Sequence, residues 1–137
     1  NYDQVMEAPV TIALFTDTDL QKRARKIARV GGVKNFTDEQ LQYFMQNLPA
    51  EFARYDAQQT SDYLALNAGL VAMNLVLALT DQGIGTNIIL GFDKSKINEV
   101  LDIEERFRPE VLITVGYAAE KVEPSYRLPV DEIIDKR

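Results

Sequence analysis

One stretch limits the folds open to this chain more than any other: residues 61–93, SDYLALNAGLVAMNLVLALTDQGIGTNIILGFD. Between Tyr63 and Leu79 the only polar side chains are Asn67 and Asn74. A surface helix keeps a polar face toward water, whereas a helix that is apolar all round has to be covered on nearly all sides. From Ser61 to about Gln82 such a helix is roughly 33 Å long, close to the diameter of a small domain. One small domain cannot bury all of it, so a central helix that also meets a second subunit is expected. Asn67 and Asn74 lie seven apart and share a face, while Ala65, Gly69, Ala72 and Met73 offer small or adaptable surface. These residues predict a helix–helix seam bridged by both Asn side chains at a subunit interface.

The apolar run is shorter than the roughly 20 residues of a membrane span, carries two Asn and a Gly, and has no flanking basic cluster. It therefore reads as a buried helix of a soluble protein. The opening NYDQVMEAPV has no basic-then-apolar leader pattern, and the chain has no cysteine, which fits a reducing cytoplasm. At 137 residues a single domain with a sizeable core is expected. With 15 Lys and Arg against 21 Asp and Glu, the net charge of −6 gives no source for the counterion release that drives nucleic-acid binding. Absence of both His and Cys removes the usual general base, thiolate chemistry and the commonest metal ligands. No metal site and no catalytic side chain is expected, so any chemistry has to come from a cofactor.

Upstream of the central helix, Ala8–Phe15 reads as a buried strand with Pro9 at its start. A helix follows from Asp19, with Leu20, Ala24, Ile27 and Ala28 inward and Gly31 as C-cap. Its basic cluster, Lys22, Arg23, Arg25, Lys26 and Arg29, reads as a solvated face favourably placed toward the helix C-terminus rather than an anion patch. Thr37 and Gln40 form a capping-box pattern for a helix that Pro49 ends or restarts, with a second short helix to Tyr55. The aromatic stripe Tyr43, Phe44, Phe52 and Tyr55 is expected in the core. Ser61 reads as the N-cap of the central helix and Gly83 as the left-handed residue that ends it. Gly85 then turns into a strand, Thr86–Leu90. The G-x-G here follows a helix, lacks the third glycine and opens no helix, so it is no dinucleotide fingerprint.

Asp93 is expected to cap a helix from Lys94 to about Leu101, with Ile97, Val100 and Leu101 inward. Pro109 introduces a last strand, EVLITVGYA, and the tail EKVEPSYRLPVDEIIDKR reads as an arm lying on another surface. Glu104 and Glu105 read as solvated loop residues. The alternation of strands and helices places the chain in the α/β or α+β class, with at least three strands around the central helix.

The order APVTIALF, YLALNAGLVAMNLVLALTDQGIGTNIILGFD, RPEVLITVGYAAE and SYRLPVDEII resembles the C-terminal two-thirds of the FMN-dependent nitroreductase family, over nearly the whole chain from Gln4 to Ile134. The resemblance implies an α+β fold, a mixed sheet flanked by helices, with the central helix buried at a homodimer interface and an extended C-terminal arm. It implies FMN at that interface, carrying electrons from NADH or NADPH to small-molecule acceptors such as nitroaromatics or quinones. The family's flavin-lining segment falls on Ile88, Ile89, Leu90 and Gly91, with the N–H groups of Leu90 and Gly91 as donors to the ring. Arg127 matches the arginine that reaches the FMN phosphate, and Lys121 is a weaker candidate on the same arm. The family's Arg- and Ser-containing phosphate stretch and its flavin-contacting Asn-x-Gln-Pro-Trp-like segment have no counterpart in this sequence, so residues 1–137 read as an N-terminally truncated domain. The alternative reading is a non-catalytic dimeric homologue that binds a small ligand or serves a structural role.

Overall fold

The nearly unbroken apolar run VLITV at 111–115 belongs on a strand covered on both faces. In the computed structural model, which describes residues 1–31, 36–120 and 125–135 and no side chains at 28, 29 and 31, that run is the middle of the central strand. The elements are α1 (Tyr2–Glu7), β1 (Val10–Asp17), α2 (Leu20–Gly31), α3 (Asp38–Phe52), α4 (Ala57–Asp81), β2 (Gly85–Ile89), α5 (Ile97–Val100), β3 (Phe107–Gly116) and α6 (Val130–Ile133). The sheet order is β1-β3-β2, with β3 antiparallel to both neighbours. The α+β class is as expected, but among the described strands no pair is parallel. β1 and β2 run the same way, and β3 separates them.

Opposite residues of an antiparallel pair point to one face. Ile12 faces Ile113 and Leu14 faces Val111. With Ala72, Leu75 and Val76 of α4 these residues form the core. The β1–β3 register slips between Leu14 and Phe15, leaving Glu110 unpaired as a bulge. Pro109 thus lies inside β3, opposite Phe15, rather than introducing the strand; a bulge tolerates its missing N–H. At the bulge Arg108 Nε donates to Glu110 Oε1 at 2.7 Å, and the Thr16 hydroxyl donates to the same oxygen. Arg108 also reaches Ser61, donating to Oγ at 2.8 Å and to the carbonyl at 3.1 Å. Ser61 is therefore not the N-cap of α4. Asp56 is, in a reciprocal box with Gln59: the Gln59 N–H donates to Asp56 Oδ1 at 2.7 Å and the Asp56 N–H to Gln59 Oε1 at 2.9 Å.

The Thr37–Gln40 box opens α3 as expected. The helix then continues through Pro49 to Phe52, with no second short helix. Pro49 falls in the last turn, where its missing N–H costs one bond, and its carbonyl accepts from the Ala53 N–H at 3.0 Å. Of the aromatic stripe only Phe52 and Tyr55 are half-buried; Tyr43 and Phe44 are exposed. In α2, Leu20 and Ala24 are buried while Ile27 is exposed. The expectations for Gly31 as C-cap and for the Ala28 and Arg29 side chains lie outside the described residues. α5 is one turn, shorter than expected, and both Val100 and Leu101 are exposed. The segment is pinned instead by Asn98, whose amide donates to the carbonyls of Glu104 and Phe107.

Within this chain α4 is covered on one side only. Leu64, Ala68 and Ala72 are buried against the sheet side, whereas Leu66, Leu70, Met73 and Leu77 remain 65%, 64%, 50% and 60% exposed. One chain does not bury this helix, as its composition requires. Among the described residues the Asn amides bridge to no second element: Asn67 donates to the Tyr63 carbonyl of its own helix at 2.7 Å, and Asn74 is exposed. By length and composition α4 could cross a membrane, yet its inner stripe is packed on the strands.

Candidate functional site

The site expected at 88–91 is built by the way α4 ends. Gly83 has φ +73°, the left-handed conformation that glycine adopts without a Cβ clash. The Gly83 N–H donates to the Thr80 carbonyl at 2.9 Å and the Ile84 N–H to the Leu79 carbonyl at 3.0 Å, closing the helix in a Schellman motif. The chain reverses directly into β2, which among the described residues is an edge strand paired only with β3.

Alternation along β2 then separates the four expected residues. Ile89 is 3% exposed and lies on the core side opposite Leu112, while Ile88 and Leu90, on the other face, are 41% and 68% exposed. The Ile89 side chain therefore cannot reach a ligand on the Ile88–Leu90 face. Leu90 and Gly91 follow the last ladder pair, Ile89 with Leu112. Among the described hydrogen bonds, none uses the N–H of Leu90 or Gly91 as donor. The two groups form an open pair of main-chain donors at the sheet's end.

A contact absent from the sequence reading borders this pair. α1 lies beside the edge strand, with Asn1 Nδ2 donating to the Gly91 carbonyl at 3.0 Å and Asn87 Nδ2 donating to Gln4 Oε1 at 3.2 Å. Its only local signal is the short apolar pair Val5 and Met6. A Cβ on Gly91 would sit 3.0 Å from Asn1 Nδ2, so the bare main chain sets how closely anything approaches here. Beyond Gly91, Asp93 accepts from the Ser95 hydroxyl at 2.6 Å and the Ser95 N–H at 3.0 Å. These donors, with Lys96 nearby, hold its carboxyl below the ordinary value. Asp93 thus organises the turn 94–96 rather than capping a long helix.

The structure does not bring Arg127 into this group. Its Nη1 donates to the carbonyl of the adjacent Tyr126 at 2.8 Å, and residues 125–135 are exposed throughout. Lys121 lies outside the described residues. Among the described residues no group of three or more Asp and Glu could hold a metal ion. The edge can donate two hydrogen bonds to a flat polar rim and offer the apolar Ile88 and Leu90 beside it, and it holds no titratable group that could itself transfer a proton.

The model of the Nitroreductase family matches residues 1–117. A protein of Streptococcus pyogenes serotype M6, provisionally named as an NAD(P)H nitroreductase, is 62% identical over 137 residues, covering 100% of this chain and 68% of its own length. The crystal structure of a nitroreductase family protein from Streptococcus pneumoniae TIGR4 superposes with a TM-score of 0.93 at 84% identity, over 100% of this chain and 68% of that one. A provisionally named nitroreductase from Exiguobacterium sibiricum 255-15, solved in complex with FMN, superposes with a TM-score of 0.88 at 27% identity, over 98% of this chain and 65% of that one. The chain thus spans about two thirds of the length of these relatives.

Proposed function

The chain belongs to the nitroreductase family, and from that premise we propose that it is the larger part of an FMN-dependent oxidoreductase. In this reading NADH or NADPH is the donor, and nitroaromatics, quinones or related small molecules are the acceptors. The observation that carries the reading is the pair of open N–H groups at Leu90 and Gly91, at the end of an edge strand and beside a glycine that keeps the approach clear.

The residues fit a flat conjugated ring with a polar rim. The N–H groups of Leu90 and Gly91 would meet that rim; they directly follow the last β2–β3 ladder pair, which limits the reorganisation needed when charge develops on it. Ile88 and Leu90 would cover apolar ring surface and exclude water from it. Asn1, donating to the Gly91 carbonyl, ties the peptide that follows the glycine to α1. When bound, FMN supplies the hydride-accepting and hydride-releasing chemistry that this chain's side chains lack. Arg127 is the candidate for the phosphate, because a guanidinium fork pairs with phosphate oxygens in two places. That role requires the exposed arm to lie against a site other than its present surroundings, which a second subunit would provide.

The uncovered side of α4 supports a homodimer. Leu66, Leu70, Met73 and Leu77 recur at spacings of four, three and four, the repeat that seats one helix against another. The same seam accounts for an apolar helix in a protein read as cytoplasmic. The test is direct: FMN is titrated with the full-length protein and its fluorescence followed, then NADH and NADPH oxidation is measured with a quinone and with a nitroaromatic; residues 1–137 alone, without the family's phosphate-binding stretch, are expected to bind FMN weakly or not at all. Saturable quenching and acceptor-dependent turnover are expected of the full-length protein. Flavin binding without turnover would instead support a non-catalytic ligand-binding homologue, and absence of flavin binding would refute the proposal.

A further inference from the structure

A second concave region lies away from the β2 edge, where the ends of α2, α3, α4 and β1 meet the start of β3. It is an open cleft of about 860 Å³ whose lining includes the cations Lys22, Arg23, Arg25 and Lys26, the rings of Phe52, Tyr63 and Phe107, and the Asp17–Arg106 pair. That volume lies within the range that encloses a drug-sized ligand. Lys22, Arg23, Arg25 and Lys26 are solvent-exposed, as expected of a solvated helix face, and they also border this cleft.

Three observations bear on what the cleft takes. First, among the described ion pairs none involves Lys22, Arg23, Arg25 or Lys26, although the chain carries an excess of six acidic charges. Carboxylates are plentiful, yet four cations within one helical turn and a half are left without one. Second, Lys22, Arg25 and Lys26 stand at i, i+3 and i+4, so their charged ends converge on one side of α2. Third, the cleft is also lined by aromatic rings: those of Phe52 and Tyr63 lie 5.1 Å apart, and Phe107 is already stacked under Arg106 at 4.4 Å. Arg106 is itself engaged, 3.7 Å from Asp17 Oδ2. Its Nε lies 3.1 Å from Glu104 Oε2 but off the N–H axis, so the buried N–H has no aligned acceptor.

Exposed, unpaired cations and half-buried rings lining one cleft match a ligand with anionic oxygens at one end and a planar ring at the other. We infer that this cleft is a nucleotide-binding site, with the phosphates against Lys22, Arg25 and Lys26 and the base against Phe52, Tyr63 and Phe107. The inference is independent of the flavin reading, because it uses none of the residues at the β2 edge.

Isothermal titration of the whole chain with ADP, pyrophosphate and adenosine tests it. ADP is expected to bind more tightly than either fragment, and more weakly as salt is raised, since exposed charges are screened over about 10 Å at 0.1 M. The double variant Lys22→Gln/Lys26→Gln is expected to lose about tenfold or more in ADP affinity, the scale of losing charge-assisted hydrogen bonds, with an unchanged circular dichroism spectrum. Lys22→Arg/Lys26→Arg keeps the charge and should keep the affinity. Absent ADP binding, ADP no tighter than adenosine or pyrophosphate, or a folded Gln variant that binds like the parent would each overturn the inference.

Discussion

Replacing Leu70 with alanine probes the uncovered side of α4, where a seam would have to form. Leu70 is 64% exposed in the single chain, so most of its possible burial is still to be gained. Full burial of a leucine side chain is worth about 1.5–3 kcal/mol, which leaves roughly 1–2 kcal/mol per protomer for association. A two-fold interface presents each position twice. Alanine keeps part of the contact, so Leu70→Ala should weaken the dimer by roughly 1.5–3 kcal/mol, a rise in dissociation constant of about 10- to 150-fold. The assay is sedimentation equilibrium across a concentration series, with urea unfolding of the monomeric fraction as control; the monomer should be nearly unaffected, because the side chain touches little within its own chain. Gly69→Leu gives a second reading of the same face. A Cβ there meets nothing within 4 Å, so the single chain accepts the larger residue, whereas a close partner helix would be overpacked by about 1–3 kcal/mol. A wild-type chain that stays monomeric, or two variants that dimerise like the parent, would refute the reasoning.

Gly91→Ala should leave the unfolding midpoint almost unchanged, because its Cβ meets only the end of the flexible Asn1 side chain, yet it should weaken FMN binding in a fluorescence titration. Gly83→Ala forces a left-handed alanine and should cost about 1–2 kcal/mol in urea unfolding. Arg108→Met strands the Glu110 carboxylate, whose side chain is only 10% exposed, with the Thr16 hydroxyl as its remaining donor; a loss of roughly 2–4 kcal/mol is expected, partly restored by adding Glu110→Met. The Asp93 carboxyl should titrate below the ordinary carboxylate value by carbon NMR, and Ser95→Ala should move it up. Because its folded value is the lower one, its contribution to stability is full above the ordinary pKa and is lost as pH falls through the folded value.

Much of the fold was legible because it depends on local rules. The Thr37–Gln40 box, the left-handed Gly83 and the strand around VLITV follow from side-chain chemistry and period alone. The true start of α4 was equally readable, since Asp56 and Gln59 form the same box, but Ser61 offered a competing cap and was in fact held by Arg108, 47 residues away. The errors at Ile27, Val100 and Leu101 share a cause: periodicity shows which residues share a face, and it does not show whether another element covers that face.

At the candidate site the same division holds. The sequence by itself determined that an apolar helix would exceed one chain's capacity to bury it, that a glycine would end it, and that residues 88–91 would leave a strand beside a bare main chain. Only the tertiary structure decided that this strand is an edge, that Ile89 faces the core while Ile88 and Leu90 do not, and that Asn1 closes on Gly91. It also brought the exposed cations of α2 and three aromatic rings to the lining of one cleft. The physical reason is one of range: helix caps, turns and alternation are set by neighbours a few residues away, whereas an edge, a cleft or an unpaired donor exists only once segments distant in sequence have packed and left some groups without partners.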